Sequence, residues 1–251
     1  MNLQICEDVA DLAAHAADLI IGAAREATAA RGRFTIALAG GSTPKKTYAL
    51  LAQPERAGQV EWGKVYIFFG DERFGPRDSP SSNYGMAREA LLARVPLPEG
   101  NVFPMPTESD ADEDASADRY ARTLADFFGV PARGLPPRFD LILLGLGDDG
   151  HTASLFPEAP SLAVTESWVA STPPGTLPPP VDRLTFTFPL INAARHVAFL
   201  VSGEAKAGIA REVLEGVRNR EARPSEGVQP ADGALTWLLD RAAAGSLKSR
   251  P

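Results

Sequence analysis

The stretch LLGLGDDGHTASLFP, residues 143–157, concentrates the residue types of this chain that could do chemistry. An apolar run ends in glycines, two aspartates and His151, which is one of only three histidines. Two kinds of site fit this pattern. Gly145, Gly147 and Gly150 match the G-x-G-x-x-G of a dinucleotide-binding turn, whereas His151 could act as a general base.

A dinucleotide site requires a strand before the glycines and, after them, a helix whose N-terminus meets the pyrophosphate. An apolar strand does precede Gly145, and Glu166 lies about 20 residues further on, where a ribose-binding carboxylate is expected. However, Asp148 and Asp149 would face a dianion, and the prolines that follow would cut the helix short. The charges of the turn therefore disfavour a nucleotide cofactor.

The general-base interpretation suits an imidazole, because its unperturbed pKa of ~6.5 allows it to take a proton from water near neutral pH. Asp149 could accept the ring N–H of His151 and fix its tautomer, as carboxylates do in hydrolytic triads. The residues alone leave this role and a structural turn histidine both open. No metal site is expected, because His15 and His196 are remote in sequence and no H-x-E or C-x-x-C spacing occurs.

A glycine turn also ends the predicted strand of FTIALAGGSTP, residues 34–44, and consists of Gly40, Gly41, Ser42 and Thr43. Its successive backbone N–H groups and the dipole of a following helix would attract an anion. Ser42 or Thr43 is expected to cap that helix, with Pro44 in its first turn.

Charged residues end two further predicted strands. Asp71 and Arg73 close VYIFFGDER, residues 65–73, and Lys206 follows the strand of HVAFLVSG, residues 196–203. Lys206 could neutralise a bound anion, and Arg183 is a further candidate cation. Because ligands bind beyond the carboxyl ends of parallel strands, we expect these tips to meet the turn of His151 on one edge.

The elements that must position these residues alternate between strand and helix. Apolar spacing of 3.6 residues predicts a helix over residues 8–31 that stops at Gly32. A further helix is expected over 204–217, and a proline-rich surface loop over 173–180. The acidic stretch 108–118 is compatible either with the start of a helix that runs to Phe128 or with a solvated face. Strands are predicted within 34–44, 65–73, 139–151, 183–188 and 196–203. This alternation indicates an α/β fold with a mainly parallel sheet flanked by helices.

Composition limits the function classes. A length of 251 residues is compatible with one domain over 1–251, and the net charge of −7 without a basic block disfavours nucleic acid and anionic membranes. No apolar run reaches the ~18 residues of a membrane span. The single Cys6 fits a reducing compartment, so a cytoplasmic protein is expected. We expect a monomer, with an oligomer left open.

Several motifs together resemble the 6-phosphogluconolactonase family, in order and over almost the whole chain. They are LAGGSTPKKTYALL, FFGDERFGPRDSPSSNYGMAREALL, LILLGLGDDGHTASLFP, RLTFTFPLINAARHVAFLVSGEAKA and VQPADGALTWLLDRAAA. The resemblance implies the Rossmann-like fold of glucosamine-6-phosphate isomerase and ribose-5-phosphate isomerase. It also implies hydrolysis of 6-phospho-D-glucono-1,5-lactone, the second step of the oxidative pentose phosphate pathway, without a metal or cofactor.

The resemblance also implies a role for each site residue. His151 would activate water with Asp149 as its orienting partner, and Arg73 with Asp71 would line the lactone end of the pocket. The remaining residues would hold the phosphate: Gly40, Gly41, Ser42, Thr43, Lys206 and Arg183.

Two alternatives share this fold. The sister sugar-phosphate isomerase has Asp-Glu-Tyr where this chain has Asp71-Glu72-Arg73, and it carries an Asn-Glu-Pro relay where Leu155-Phe156-Pro157 stands here. Both departures favour the lactonase. A non-catalytic sugar-phosphate-binding effector module would have little use for Asp149 and His151 together.

Overall fold

Nine strands and seven helices form the part of the chain described by this computed structural model, which comprises residues 1–108, 112–132, 134–175 and 180–248. In chain order they are β1 (Asn2–Cys6), α1 (Val9–Arg31), β2 (Phe34–Leu38), α2 (Ser42–Leu51), α3 (Pro54–Ala57), β3 (Val65–Phe69), β4 (Asp71–Arg73), α4 (Asn83–Ala87), α5 (Glu113–Phe128), β5 (Leu141–Leu144), β6 (Val169–Thr172), β7 (Arg183–Phe186), α6 (Phe188–Ala193), β8 (His196–Val201), α7 (Ala207–Glu215) and β9 (Ala234–Asp240).

The main sheet has six strands in the order β1-β9-β8-β5-β2-β3, and every neighbouring pair is parallel. Every residue of β2 and of β5 is buried, as expected when helices cover both faces of a parallel sheet. The predicted α/β class is therefore confirmed.

The chain order of the strands reverses between β2 and β5. After β2 the chain moves outward to β3, and it then returns to place β5 on the other side of β2. Ligands of open α/β sheets bind beyond the strand ends at such a reversal. The glycine turn of Gly40 follows β2 and the turn of His151 follows β5, so both lie at this position.

A second sheet corrects two sequence predictions. The single strand predicted within 65–73 is two strands: Val65–Phe69 is β3, and Asp71–Arg73 is β4, which pairs antiparallel with β7. The strand predicted over 183–188 exists as β7, but it lies between β4 and β6 in this small antiparallel sheet. The charged residues of β4 thus reach the site from a second sheet.

The helix ends follow local sequence in one case and depart from it in another. Asp8 caps α1 through its side chain, and Gly32 ends the helix in the left-handed region with φ +72°, as predicted. The expected cap of α2 by Ser42 or Thr43 is wrong. The helix begins at Ser42, one residue earlier than a cap at Ser42 requires. Its N-cap is therefore Gly41, which has no side chain to donate or accept a hydrogen bond.

Two predicted segments are described only in part. In the acidic stretch α5 begins at Glu113, and residues 109–111 lie outside the described part. Of the proline-rich stretch, residues 173–175 and 180 carry no helix or strand, and 176–179 lie outside the described residues. Within what the structure describes, no helix has the length and apolarity needed to cross a bilayer.

Candidate active site

The segment after β5 is a tight turn closed by its own backbone. Gly147 N–H donates to the carbonyl of His151 at 2.8 Å, and Gly150 N–H donates to the carbonyl of Gly147 at 3.1 Å. Gly150 has φ +84°, a conformation that favours glycine. No α-helix follows until β6 in the described residues, so the helix N-terminus that a dinucleotide needs is missing there.

His151 is held by Asp149 at two points. Asp149 Oδ1 lies 2.6 Å from His151 Nδ1 and accepts the backbone N–H of His151 at 3.0 Å. Burial opposes ionisation of Asp149, but these hydrogen bonds from His151 outweigh it and lower the pKa of the carboxyl group. A carboxylate facing Nδ1 favours the tautomer with the proton on Nδ1, which leaves the lone pair on Nε2.

The imidazole of His151 packs closely against Gly147 and Phe156. A Cβ on Gly147 would come within 2.0 Å of His151 Nδ1, so only glycine leaves room for the ring. On another side the Phe156 ring lies 4.9 Å away, centroid to centroid. The His151 side chain is 18% exposed, so part of the ring still faces solvent.

Asn83, which sequence reasoning missed, connects Asp71 and Arg73. Its amide donates to the Asp71 carbonyl at 2.8 Å and to Asp71 Oδ1 at 3.1 Å. Its oxygen accepts from Arg73 Nη1 at 2.5 Å. A Cβ on Gly40 would come within 1.9 Å of Asn83 Oδ1, so this carboxamide also lies against the glycine turn. Asn83 lies in the sequence SSNYG, and no spacing rule connects this sequence to Arg73 and Asp71, which lie ten and twelve residues earlier.

Glu72 fixes the segment that carries Asn83. Its carboxylate is 3% exposed and accepts the backbone N–H groups of Arg73, Asn83 and Tyr84 at 2.8–2.9 Å, and the hydroxyl of Ser82 at 3.2 Å. Burial raises the pKa of Glu72 even though these N–H groups stabilise its ionised form. Glu72 therefore acts on the site through Asn83 and Arg73.

Arg183 lies directly opposite Arg73 in the antiparallel pairing of β4 with β7. Arg183 is 4% exposed, and its guanidinium carbon lies 5.7 Å from the centre of the Phe156 ring. Burial and the charge of Arg73 together lower the pKa of Arg183. Like charges opposite each other destabilise a sheet, and the nearby carboxylates of Asp71 and Glu72 partly offset this repulsion by acting to raise the pKa of Arg183. Arg73 Nε is buried and has no hydrogen-bond partner among the described residues.

The glycine turn after β2 begins α2. Gly41 has φ +105°, and Thr43 Oγ1 lies 2.6 Å from the hydroxyl of Ser202, just after β8. This contact joins the turn to the strand end that precedes Lys206. Gly41 and Ser42 line a cleft of about 810 Å³ that also contacts Arg73. His151 is not among the described residues on the wall of this cleft.

Lys206 ends a short 3-10 turn, Glu204–Lys206, before α7. Its ammonium group forms an ion pair with Asp148, a residue of the His151 turn. Ser154, beyond that turn, donates to Asp71 Oδ2 at 2.7 Å. The His151 turn therefore contacts both the Lys206 segment and β4, and the predicted site residues form one connected set around the sheet reversal.

Comparisons with known proteins identify the family of this chain. A family described as "Glucosamine-6-phosphate isomerases/6-phosphogluconolactonase" matches residues 7–237, more than nine-tenths of the chain. The chain belongs to this family.

Relatives within the glucosamine-6-phosphate isomerase/6-phosphogluconolactonase family match nearly end to end. The 6-phosphogluconolactonase of Synechocystis sp. is 47% identical over 223 residues, covering 89% of this chain and 88% of the relative. That of Nostoc sp. is 41% identical over 246 residues, covering 98% of each. The structure of 6-phosphogluconolactonase from Trypanosoma cruzi has a TM-score of 0.87 at 32% identity, covering 99% of this chain and 97% of that one. The family resemblance read from the motifs is confirmed.

Proposed function

We propose that this chain hydrolyses 6-phospho-D-glucono-1,5-lactone to 6-phosphogluconate, the activity for which its relatives from Synechocystis sp. and Nostoc sp. are named. The observation that carries this proposal is the Asp149–His151 pair, 2.6 Å apart, at the sheet reversal. A histidine oriented by a carboxylate is suited to remove a proton from water.

The reaction follows from this orientation. His151 Nε2 takes a proton from a water molecule as the water oxygen bonds to the lactone carbonyl carbon, while Asp149 stabilises the imidazolium that forms. The tetrahedral intermediate then collapses, the bond between the carbonyl carbon and the ring oxygen breaks, and the ring oxygen takes the proton from His151. One water is consumed, and the product carries a carboxylic acid, which ionises, and a free hydroxyl group.

Cations around the turn suit the phosphate of this substrate. Lys206, Arg73 and Arg183 supply full charges, and the N–H groups after Gly40 supply partial ones. The ion pair with Asp148 keeps Lys206 beside the His151 turn. We infer that the phosphate sets the register of the sugar, so that its carbonyl carbon meets the water held by His151.

The isomerase alternative lacks a supporting contact. Its relay needs a carboxylate close after the histidine, whereas Leu155 is fully buried here and Phe156 places an apolar ring 4.9 Å from that of His151. The assignment is tested by measuring the rate at which the purified protein hydrolyses freshly generated lactone, after the rate of spontaneous hydrolysis is subtracted. We expect accelerated lactone loss and no ammonia release from glucosamine 6-phosphate. Binding of 6-phosphogluconate without any acceleration would instead indicate an effector module.

We also propose that residues 1–251 form a single domain. One apolar cluster includes Ala17 of α1, Leu144 of β5, Phe186 of the small sheet and Leu247 near the C-terminal end of the described chain. The net charge of −7 supports a small-molecule partner rather than nucleic acid, and the single cysteine supports a cytoplasmic location.

A further inference from the structure

Three side chains that commonly bind metals meet at the carboxyl end of β1. His15 Nδ1 lies 3.8 Å from Cys6 Sγ and 3.2 Å from Asp11 Oδ1, and all three ligand atoms lie within 4.8 Å of one another. Two strands, β9 and β8, separate β1 from β5, so about 10–15 Å of sheet lies between this cluster and the His151 turn. The cluster is therefore distinct from the candidate active site.

The distances suit a tetrahedral cation. Bond lengths of about 2.0–2.1 Å for zinc to nitrogen or oxygen and about 2.3 Å for zinc to sulfur place such ligand atoms roughly 3.4–3.6 Å apart in a tetrahedron. The observed separations of 3.2 and 3.8 Å differ from those values by a few tenths of an ångström. His15 Nδ1 also lies 2.9 Å from the backbone carbonyl of Asp11, and the three ligand atoms together span up to 4.8 Å. Coordination therefore requires the His15 ring to turn away from this carbonyl, with its proton on Nε2, and Asp11 and Cys6 to move closer together.

The surrounding structure holds these ligands in place. Asp11 and His15 are four residues apart on α1 and so lie on one face of the helix. The backbone N–H of Glu7 donates to Asp11 Oδ2 at 2.9 Å, which leaves Asp11 Oδ1 toward His15. Cys6 is fixed by the pairing of β1 with β9, where it lies opposite Asp240.

Solvent can reach the cluster from one side. Cys6 is 2% exposed, whereas the side chains of Asp11 and His15 are 35% and 43% exposed. A cation could therefore enter from solvent and keep a water as its fourth ligand. The deprotonated set of one thiolate, one carboxylate and one neutral imidazole carries two negative charges, which a divalent cation balances.

We propose that Cys6, Asp11 and His15 bind a zinc ion, or a divalent cation of similar softness, which joins β1 to α1. A thiolate, an imidazole and a carboxylate together suit zinc better than magnesium or calcium, which prefer oxygen ligands alone. The sequence predicted no metal site because H-x-E and C-x-x-C spacings do not occur, whereas these ligands come from a strand and from successive helix turns. This proposal is independent of the lactonase reaction.

Cobalt titration of the reduced, chelator-treated full chain tests the site directly. Cys6 is the only cysteine, so any thiolate-to-cobalt charge-transfer absorption must come from it. We expect this absorption, together with the visible bands of tetrahedral cobalt, to saturate at one equivalent and to disappear when zinc is added. Zinc should also raise the melting temperature of the wild type.

Variants separate the cluster from non-specific binding. Cys6→Ser should lose the charge-transfer absorption and the zinc-dependent rise in melting temperature, with lactone hydrolysis unchanged. His15→Ala and Asp11→Asn should each weaken cobalt binding at least about tenfold, since even the loss of a group that hydrogen-bonds to a metal ligand costs that much. Asp18→Asn, an exposed carboxylate on the same helix, and His151→Ala should bind cobalt like the wild type. No charge-transfer absorption in the folded wild type would overturn the proposal, as would unchanged cobalt affinity in both His15→Ala and Asp11→Asn.

Discussion

Some residues of the candidate site contact partners close to them in sequence, and others contact partners that are far away in sequence. Asp149 lies two residues from His151, so the pair could be predicted from spacing alone. Lys206 contacts Asp148, which is 58 residues away, and Asn83 joins Asp71 to Arg73 across a loop. Side chains that meet only after folding leave no periodic signal in one sequence, which is why Asn83 escaped prediction.

Lys206→Ala should impair only the phosphorylated substrate. Loss of a charge-assisted contact costs about 1.5–3 kcal/mol, roughly one to two decades in kcat/KM. If Lys206 binds the phosphate equally in ground and transition states, the loss appears as a raised KM. Parallel kinetics with unphosphorylated gluconolactone should show almost no change. Equal losses on both substrates would move the phosphate role to Arg183 or Arg73.

Asn83→Ala should lower kcat/KM for the phosphorylated lactone by about tenfold or more, because Arg73 and Asp71 lose a shared charge-assisted partner. Asn83→Asp keeps an acceptor for Arg73 but places a carboxylate about 3 Å from Asp71, so it should not restore activity. Asn101→Ala is the matched control, since its amide donates to the backbone at 2.9 Å far from the site. Steady-state kinetics and melting curves of both variants test this role. If Asn83→Ala only lowered the melting temperature, as much as Asn101→Ala does, and kept wild-type kcat/KM, the positioning role would be refuted.

At the scale of elements, α1 and the buried strands β2 and β5 were predictable, whereas the charged strand β4 was not. Helix α1 shows full apolar periodicity and both end signals, and β2 and β5 are continuous apolar runs. In contrast, β4 has three charged residues and becomes a strand only by pairing with β7 more than 100 residues later. The strands β1, β6 and β9 were also missed, although β9 is a largely apolar segment of seven residues. Tertiary pairing, rather than local preference, determines β4 in particular.

The turn after β5 offers a matched pair of glycines. Gly147→Ala would put a Cβ 2.0 Å from His151 Nδ1 and push the ring away, whereas a Cβ on Gly145 meets nothing within 4 Å. A misplacement of about 1 Å can cost ~10²-fold in rate, so Gly147→Ala should lose that much kcat while remaining folded. Gly145→Ala should stay near wild type. Equal kcat values for the two variants would contradict the packing of His151 against Gly147.

The whole molecule combines a parallel sheet, whose reversal carries the His151 turn, with a small antiparallel sheet that carries Arg73 and Arg183. Because the His151 turn carries carboxylates and closes on itself, NAD and NADP should produce no shift in melting temperature. Treatment with a chelator should leave lactone hydrolysis unchanged, since no step of the proposed reaction uses a metal. Saturable micromolar binding of either nucleotide, measured by calorimetry, would refute this expectation.

The most direct test of the account compares kcat for 6-phospho-D-glucono-1,5-lactone in the wild type and in His151→Ala, each corrected for spontaneous hydrolysis. Loss of a general base typically costs ~10²–10⁴ in rate, so we expect a fall of that size in a variant that melts cooperatively. His196→Ala, which removes a histidine bonded to Thr236 in the sheet, should retain wild-type kcat. A His151→Ala variant with wild-type kcat would contradict the central claim that His151 activates the attacking water.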